Sequence, residues 1–236
     1  MKKGIFHSMF FNLSVTDPLK EYYFFRELGY DKVNCPLSEG FCLTDGTLRL
    51  LITPERSIPT GIVLAGQNLE EMKLDIKQRG FLLVEGAEIQ FPRISGPSGT
   101  TLSLIEMDEQ WVPPLKGSPV SLCGTFFEIS VETIDYEATV EFWERMGLEV
   151  IYGDKKGNWV TLADDFIKIG FYRQGTVEHK FRSPAITYFE PDMQDRIRLL
   201  QQLQVDIARP LGECKNGPVD AILETPGGYN IFLFKS

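Results

Sequence analysis

The sequence predicts an α+β protein built from four βαβββ units, each a strand, a helix and three further strands, arranged as two tandem halves. The stretch FFNLSV at residues 10–15 returns as FFEISV at residues 126–131. Each copy leads into a helix pattern that ends at a glycine, Gly29 or Gly147. The same order of strand and helix patterns recurs inside each half, which indicates that each half repeats the unit internally.

The first half carries clear signals for the ends of two helices. Asp17 can cap the first helix, and Pro18 suits its first position. Asn68 and Glu71 have the spacing of a capping box at the start of the second helix, which ends at Gly80. The predicted strands of this half lie at residues 10–15, 40–45, 47–53 and 61–65 and in the closing segment GPSGTTLSLIEM, residues 96–107.

The second half repeats this order. Ala138, Phe142 and Met146 are spaced by four and form one buried helix face. Asp192 is the candidate cap of a helix over residues 194–204. The predicted strands lie at residues 126–131, 158–163, 166–172 and 185–189 and in the closing segment TPGGYNIFLFKS, residues 225–236.

The two halves have the size of ordinary domains joined by a linker. Residues 108–121 include WVPPLKGSP, whose three prolines interrupt both periodicities. We therefore predict domains at residues 1–107 and 122–236, with 108–121 between them. A chain of 236 residues is long enough for two such domains, each with its own core.

The composition favours a cytoplasmic protein that binds neither nucleic acid nor membrane. The net charge is -9 and no cluster of Lys and Arg occurs, so phosphate backbones are poor partners. No segment approaches the roughly 18 consecutive apolar residues of a membrane span. The four cysteines lack metal-binding spacing, and reduced thiols suit a cytosolic location. They are Cys35, Cys42, Cys123 and Cys214.

Short motifs occur in the same order in both halves. The first half has V-T-D at residues 15–17, Leu28-Gly29 and the turn GPSG at 96–99; the second has Val131, Met146-Gly147 and the turn TPGG at 225–228. In this order they resemble the vicinal oxygen chelate superfamily, which contains glyoxalase I, extradiol dioxygenases and bleomycin-resistance proteins. The match covers nearly all of the chain outside the linker. The resemblance implies two tandem glyoxalase-like domains with cup-shaped mixed β-sheets, and it specifies the fold without specifying an activity.

The resemblance also implies, for the metal-dependent members, a divalent ion held by a His on the first strand, a His, Gln or acid on the strand opening the second unit, and a Glu on the last strand. Such ligands hold an open-sided ion that polarises substrate oxygens. At the matching positions this chain has poor ligands, so we predict that it binds no metal and no other cofactor. The six positions are Phe10, Gly61, Ser103, Phe126, Ala185 and Phe232.

Glu128 is the candidate catalytic residue. Strand alternation places Phe126, Glu128 and Ser130 on one face, as it does Phe10, Asn12 and Ser14 in the first copy. If the resemblance holds, that face lines the cup. Burial among aromatic rings would raise the pKa of the Glu128 carboxyl, which suits a general acid or base or an anchor for a ligand. The alternative is that Glu128 reaches the rim or pairs with a basic side chain.

The same alternation predicts a ligand pocket in the second cup, lined by aromatic rings with a few polar groups. Such a lining suits an apolar or aromatic small molecule, although the rings could equally fill the cup as core. The corresponding face of the first copy is uncharged, and we expect it to be the less active half. His179, in a lengthened loop, could reach over the cup or remain solvated. The predicted ligand-binding residues are Phe126, Glu128, Thr187, Phe189, Asn230 and Phe232.

Three functions are compatible with this sequence. The first is a metal-free binding protein of the bleomycin-resistance type that holds its ligand in the second cup. The second is an enzyme, a glyoxalase-like lyase or isomerase or an extradiol-type dioxygenase, with a displaced metal site or with Glu128 as acid/base. The third is a protein-interaction module that uses Trp111 of the linker. A monomer and a homodimer are both open, because the tandem chain already joins two halves covalently.

Overall fold

Each half of the chain forms one mixed β-sheet in the computed structural model, which describes residues 5–35, 37–86, 88–112, 115–177, 179–214 and 217–236. The first half contains β1 (Ser8–Val15), α1 (Pro18–Glu27), β2 (Asp31–Val33), β3 (Phe41–Thr44), β4 (Arg49–Pro54), β5 (Gly61–Gly66), α2 (Leu69–Gln78), β6 (Arg93–Ser95) and β7 (Thr101–Glu106). The second half contains β8 (Thr125–Thr133), α3 (Tyr136–Met146), β9 (Glu149–Gly153), β10 (Trp159–Ala163), β11 (Lys168–Arg173), β12 (Ala185–Glu190), α4 (Met193–Gln202), β13 (Arg209–Cys214), β14 (Gly217–Glu224) and β15 (Asn230–Lys235).

The strand order shows how the units are joined. It is β2-β3-β4-β1-β5-β7-β6 in the first sheet and β13-β14-β15-β12-β8-β11-β10-β9 in the second. In each sheet the strands that open the two units pair antiparallel at the centre, β1 with β5 and β8 with β12. The predicted α+β class is confirmed. The second unit of the first half departs from the pattern, because the described residues between α2 and β6 form a single bridge, Val84 to Arg93, in place of a strand.

The helices begin and end largely where the sequence predicts. The Asp17 carboxylate accepts from the Lys20 backbone N–H at 3.0 Å, and Asn68 caps α2. Gly147 ends α3 with a φ of 100°, a left-handed conformation that favours glycine. Asp192 precedes α4 but pairs with Arg196 at 2.9 Å and makes no capping bond.

The helix-bearing faces of both sheets share one hydrophobic core. Phe25 of α1 and Trp143 of α3 belong to the same buried cluster. Phe81 of the first half and Phe142 of the second meet edge to face at 4.9 Å. The two sheets are therefore packed together as one body, with their other faces turned away from this core.

The segment between the sheets lies against the first half. A 3₁₀ turn at Glu109–Trp111 follows β7. The Val120 backbone N–H then donates to the Asp45 carbonyl at 2.6 Å, and that of Leu122 to the Leu28 carbonyl at 2.8 Å. These bonds place the start of β8 beside the end of α1.

Two cysteines depart from the expectation of reduced thiols. Cys35 and Cys42 form a disulfide, with Cα atoms 5.0 Å apart, because the register of β3 carries Cys42 to the loop after β2. Cys123 is free and buried. In the described ranges, no helix combines the length and the apolar character that a membrane crossing needs.

Candidate functional site

Glu128 lies at the centre of a buried hydrogen-bond network in the second sheet. Its side chain is completely buried on β8. Oε1 accepts from the Tyr172 hydroxyl at 2.5 Å and from the Ser130 hydroxyl at 3.1 Å, and Oε2 accepts from the Thr161 hydroxyl at 2.7 Å. The Ser130 hydroxyl is also 2.7 Å from that of Thr187 on β12. Hydroxyls from three strands thus donate to one carboxylate, and Thr187 on a fourth strand joins the network through Ser130.

Burial dominates the electrostatics of this network. Desolvation raises the pKa of the Glu128 carboxyl, and the bonds from Tyr172, Thr161 and Ser130 oppose the rise. Half-buried Lys168 has its pKa lowered by desolvation, which the nearby Glu128 carboxylate partly offsets. The Lys168 ammonium lies 5.0 Å from the centre of the Phe127 ring. The carboxyl is therefore held by neutral hydroxyls with one cation nearby.

Gly170 makes room for the carboxylate. It faces Ser130 across the parallel β8–β11 pair and Thr161 across the β10–β11 pair. A Cβ at this position would overlap the Glu128 carboxylate. The absence of a side chain on β11 is thus a condition for burying Glu128 in the sheet.

A cavity of about 80 Å³ lies directly above this network. Its floor is formed by the hydroxyl-bearing Ser130, Tyr172 and Thr187, which separate it from Glu128. Its walls are aromatic and apolar, with one imidazole. The wall residues are Val177, His179, Phe181, Phe189, Phe232 and Phe234.

Three of the predicted ligand-binding residues line this cavity: Thr187, Phe189 and Phe232. The rings of Phe189 and Phe232 both pack against the Phe234 ring, whose centre is 5.6 Å from that of Phe189 and 5.3 Å from that of Phe232. Phe232 also meets Phe181 edge to face at 5.0 Å. Phe189 on β12 and Phe232 and Phe234 on β15 therefore form an aromatic side of this cavity.

Phe126 does not lie in the cup, and its predicted placement there is wrong. A register shift in the β8–β12 pair leaves one extra residue on β8, so Glu128 faces Thr187 while Phe126 faces Tyr188. Phe126 packs on the core side, 6.2 Å from the Tyr188 ring. The bulge brings Phe127 to the cup face instead, where it meets Phe189 at 5.0 Å.

Asn230 supports the loop beside the cavity and does not line it. Its side-chain oxygen accepts from the Arg182 backbone N–H at 2.8 Å. The Arg182 guanidinium donates to the Gly227 carbonyl at 3.0 Å and lies 5.0 Å from the centre of the Tyr229 ring. His179, from the same loop, does reach the cavity wall.

Tyr172 and Thr161 are site residues that the sequence predictions missed. Gly170 and Tyr172 alternate within the predicted strand 166–172, which places both on one face. This shared face points to the site only once β11 is known to pair with β8, because that pairing brings the Tyr172 hydroxyl within hydrogen-bond distance of Glu128. Thr161 follows from the next pairing, of β10 with β11.

In the first half, a loop occupies the cup position that matches Glu128. Asn12, at the position of Glu128, donates to the Ile58 carbonyl at 2.8 Å and the Pro59 carbonyl at 3.1 Å. Thr53 donates to the Asn12 side-chain oxygen at 3.1 Å. Ile58 is thereby held, fully buried, in a cluster that occupies this cup. The cluster comprises Phe10, Cys42, Leu51, Ile58, Val63, Ala65, Ile105 and Met107.

The residues of the second cup do not fit a divalent metal ion. Thr187 on β12 is paired with Glu128 on β8 and with Phe232 on β15. These three adjacent positions offer an ion one carboxylate, one hydroxyl and one hydrocarbon ring, which is a poor ligand set. Both Glu128 oxygens already accept hydrogen bonds from hydroxyls. Across the described part of the chain, no group of three or more His, Cys, Asp or Glu side chains could hold an ion.

Comparison with solved structures identifies the fold. The chain is similar to a catechol 2,3-dioxygenase, at 15% identity and a TM-score of 0.58 over 99% of this chain and 88% of that one. It is similar to a Mn(II)-bound glyoxalase from Novosphingobium aromaticivorans, at 15% identity and a TM-score of 0.60 over 98% and 82%. An extradiol ring-cleaving dioxygenase from B. fuscum gives 14% identity and a TM-score of 0.61 over 99% and 72%.

Neither a protein-family model nor a curated protein matches the sequence. At identities this low, the structural likeness shows the fold alone. It extends over both halves, and the two sheets with their paired opening strands agree with it. The chain therefore has the vicinal oxygen chelate fold, built from two tandem mixed sheets.

Proposed function

We propose that the second cup binds a small, single-ring aromatic molecule without the help of a metal ion. The observation that carries this proposal is the cavity above Glu128, with aromatic walls and a floor of three hydroxyls. Aromatic walls provide apolar contact with a ring, and a few fixed polar groups orient it. In the first cup, Ile58 and its neighbours occupy the space beside Asn12. The cavity next to this cluster has a single aromatic ring, Phe91, among its described lining residues and so fits the proposed role less well.

The volume of the cavity restricts the ligand. Its roughly 80 Å³ is about half of the ~150 Å³ apolar cavity that holds benzene in an engineered protein. A complete ring therefore requires an outward shift of the loop side chains, Val177 and Phe181. Ligands larger than one ring would have to displace more of the loop.

Glu128 acts in this proposal as a positioning residue. It does not line the cavity, and Tyr172 and Ser130 lie between it and the bound molecule. Its effect is to fix the orientation of their hydroxyl groups. The buried carboxylate thereby determines which way the hydroxyl groups of the cavity floor point.

A proton-transfer enzyme of the glyoxalase-like lyase or isomerase kind is the second candidate. One observation favours it: Tyr172 both lines the cavity and bonds to the Glu128 carboxyl, whose pKa is raised by burial. Tyr172 could pass a proton between Glu128 and a ligand. Glu128→Gln would abolish turnover of an identified substrate under this reading. Under the first reading there is no turnover to lose, and the change alters binding only through the orientation of the floor hydroxyls.

The proposal is tested by binding to chelator-treated protein. We expect 4-fluorophenol to bind with a dissociation constant of about 1 mM or tighter, measured by ¹⁹F NMR after treatment with EDTA. Val177→Trp should weaken this binding at least about tenfold by filling the cavity from the loop. Val84→Trp, at an exposed position of the first half, is the matched control. If 4-fluorophenol, 4-fluoroaniline and 4-fluoroanisole all fail to bind, or if Val177→Trp binds them as wild type does, the proposal is wrong.

A further inference from the structure

We infer that the second cup recognises its ligand as a hydrogen-bond donor, because Glu128 draws the hydroxyl protons of the cavity floor away from the cavity. This inference rests on the proposed binding function and specifies the chemical class of the ligand. It follows from counting the protons available to three side chains, Ser130, Tyr172 and Thr187.

Each of these hydroxyls has a single proton to donate. Glu128 Oε1 can only accept, so Tyr172 and Ser130 both direct their protons at it. Ser130 then has none left for its 2.7 Å contact with Thr187. Thr187 must therefore be the donor in that contact, and its proton also points away from the cavity.

The assignment is the same in both protonation states of Glu128. Oε1 accepts two hydrogen bonds, whereas Oε2 accepts one, from Thr161. An added proton therefore belongs on Oε2. The 2.7 Å hydrogen bond then reverses, and the Thr161 hydroxyl, which does not line the cavity, becomes the acceptor. Tyr172, Ser130 and Thr187 keep their orientation in either case.

What remains on the floor is a set of oxygen lone pairs. The Tyr172 and Thr187 oxygens can still accept hydrogen bonds from a bound molecule. Among the cavity-lining side chains of the described chain, His179 alone keeps an N–H to offer, and it lies in the wall. The floor therefore suits an aromatic ring that bears a hydroxyl or an amine.

The same floor disfavours acceptor-only and anionic ligands. An ether or ketone oxygen placed there meets lone pairs and loses its bonds to water without compensation. An aromatic carboxylate is additionally repelled by Glu128 when that group is ionised. The predicted ligand class is thus phenols and aromatic amines.

Matched fluorinated probes test this class. In ¹⁹F NMR titrations of chelator-treated protein, we expect 4-fluorophenol and 4-fluoroaniline to bind at least about tenfold more tightly than 4-fluoroanisole and 4-fluorobenzoate. Thr187→Val removes the acceptor at nearly constant volume. It should reduce, several-fold, the ratio of the affinity for 4-fluorophenol to the affinity for 4-fluoroanisole, here called the phenol-to-anisole ratio. Thr187→Ser keeps the hydroxyl and should restore the ratio.

Ser130→Ala is an independent second variant. It removes the acceptor of the Thr187 proton, which is then free to turn toward the cavity, so the phenol-to-anisole ratio should fall. Equal dissociation constants of 4-fluorophenol and 4-fluoroanisole for the wild-type protein would overturn the inference while leaving the proposed binding function intact. Failure of all four probes would overturn both. An unchanged ratio in Thr187→Val and Ser130→Ala would show that the floor does not select the ligand.

Discussion

The Tyr172 hydroxyl lies 2.5 Å from Oε1 of the fully buried Glu128 carboxylate. This bond joins the floor of the cavity to a carboxylate that has no contact with solvent. Burial raises the pKa of the Tyr172 phenol as well, and the adjacent Glu128 adds to the rise. Tyr172 therefore stays protonated and serves as a donor to Glu128 over the ordinary pH range.

Glu128→Gln should change how stability depends on pH. In the unfolded chain the carboxyl titrates near its ordinary 4.5, whereas burial raises its pKa in the folded chain. Between these two values the folded state holds a proton that the unfolded state has lost, so stability falls as pH rises through this window. The amide that replaces the carboxyl in the variant cannot titrate. We expect the free energy of unfolding of wild type relative to Glu128→Gln, from urea titrations, to decrease as pH rises above about 4.5.

That difference should be constant below the window and again above the raised pKa. Subtracting the free energy of unfolding of the variant cancels the contributions that other groups make to the pH dependence of stability. These groups include Asp45, Glu21 and Asp164, whose pKa values are also raised by burial. A difference that does not vary with pH would show that Glu128 titrates normally in the folded chain.

Tyr172→Phe should destabilise the protein by about 1–3 kcal/mol, because it leaves a buried carboxylate oxygen short of one donor. The loss should be larger at neutral pH than in acid, since hydrogen bonds to an ionised carboxylate are stronger. Urea unfolding at two pH values measures both effects. Tyr152→Phe, on a tyrosine of β9 that is 52% exposed, is the control and should change stability by less than about 0.5 kcal/mol. Equal losses in the two variants would contradict the role assigned to Tyr172.

Gly170→Ala should destabilise the protein by about 1–3 kcal/mol or more, because the new methyl group overlaps the Glu128 carboxylate. Adding Glu128→Ser should relieve the overlap, so the double variant should be more stable than the sum of the two single changes predicts. Urea unfolding of the four proteins gives this coupling. Gly86→Ala is the control, since a Cβ there has no heavy atom within 4 Å. Strict additivity of the two changes would refute the proposed steric relationship.

Tyr188→Phe tests the junction of the two halves. The Tyr188 hydroxyl on β12 donates to Asp45 Oδ2 of the first half at 2.8 Å and also contacts the hydroxyl of Tyr30. Removing it leaves a buried carboxylate underbonded and should cost about 1–3 kcal/mol. Because the core is shared, calorimetry should still show one unfolding transition with a lowered midpoint. Two separated transitions would mean that the halves unfold independently. Tyr23→Phe, on an exposed tyrosine, is the control.

The sequence predicted the α+β fold of two tandem halves and the position of Glu128 on the cup face of its strand, because both depend on local patterns. Strand alternation and helix caps are encoded within a few residues. The displacement of Phe126 could not be predicted from the sequence, because a bulge leaves the alternation of the letters unchanged while exchanging the faces of Phe126 and Phe127. Tyr172 and Thr161 were hidden for another reason: their proximity to Glu128 depends on strand pairing between distant segments.

The change from Asn12 to Glu128 in the repeated hexapeptide has a direct structural explanation. The Asn12 amide donates to two loop carbonyls, which a carboxylate cannot do. Glu128 accepts from three hydroxyls, which suits an anionic side chain. The duplication thus gave one strand position two opposite hydrogen-bonding roles. In the first cup it secures a filling loop, and in the second it orients the floor of a cavity.

The most direct test of the account is to locate a bound phenol in chelator-treated protein by intermolecular NOEs. We predict NOEs from the ring protons of 4-fluorophenol to the Thr187 methyl group and to the Phe232 ring. NOEs confined to other regions, such as Ile105 and Met107 of the first cup, would contradict the assignment of the ligand site to the second cup.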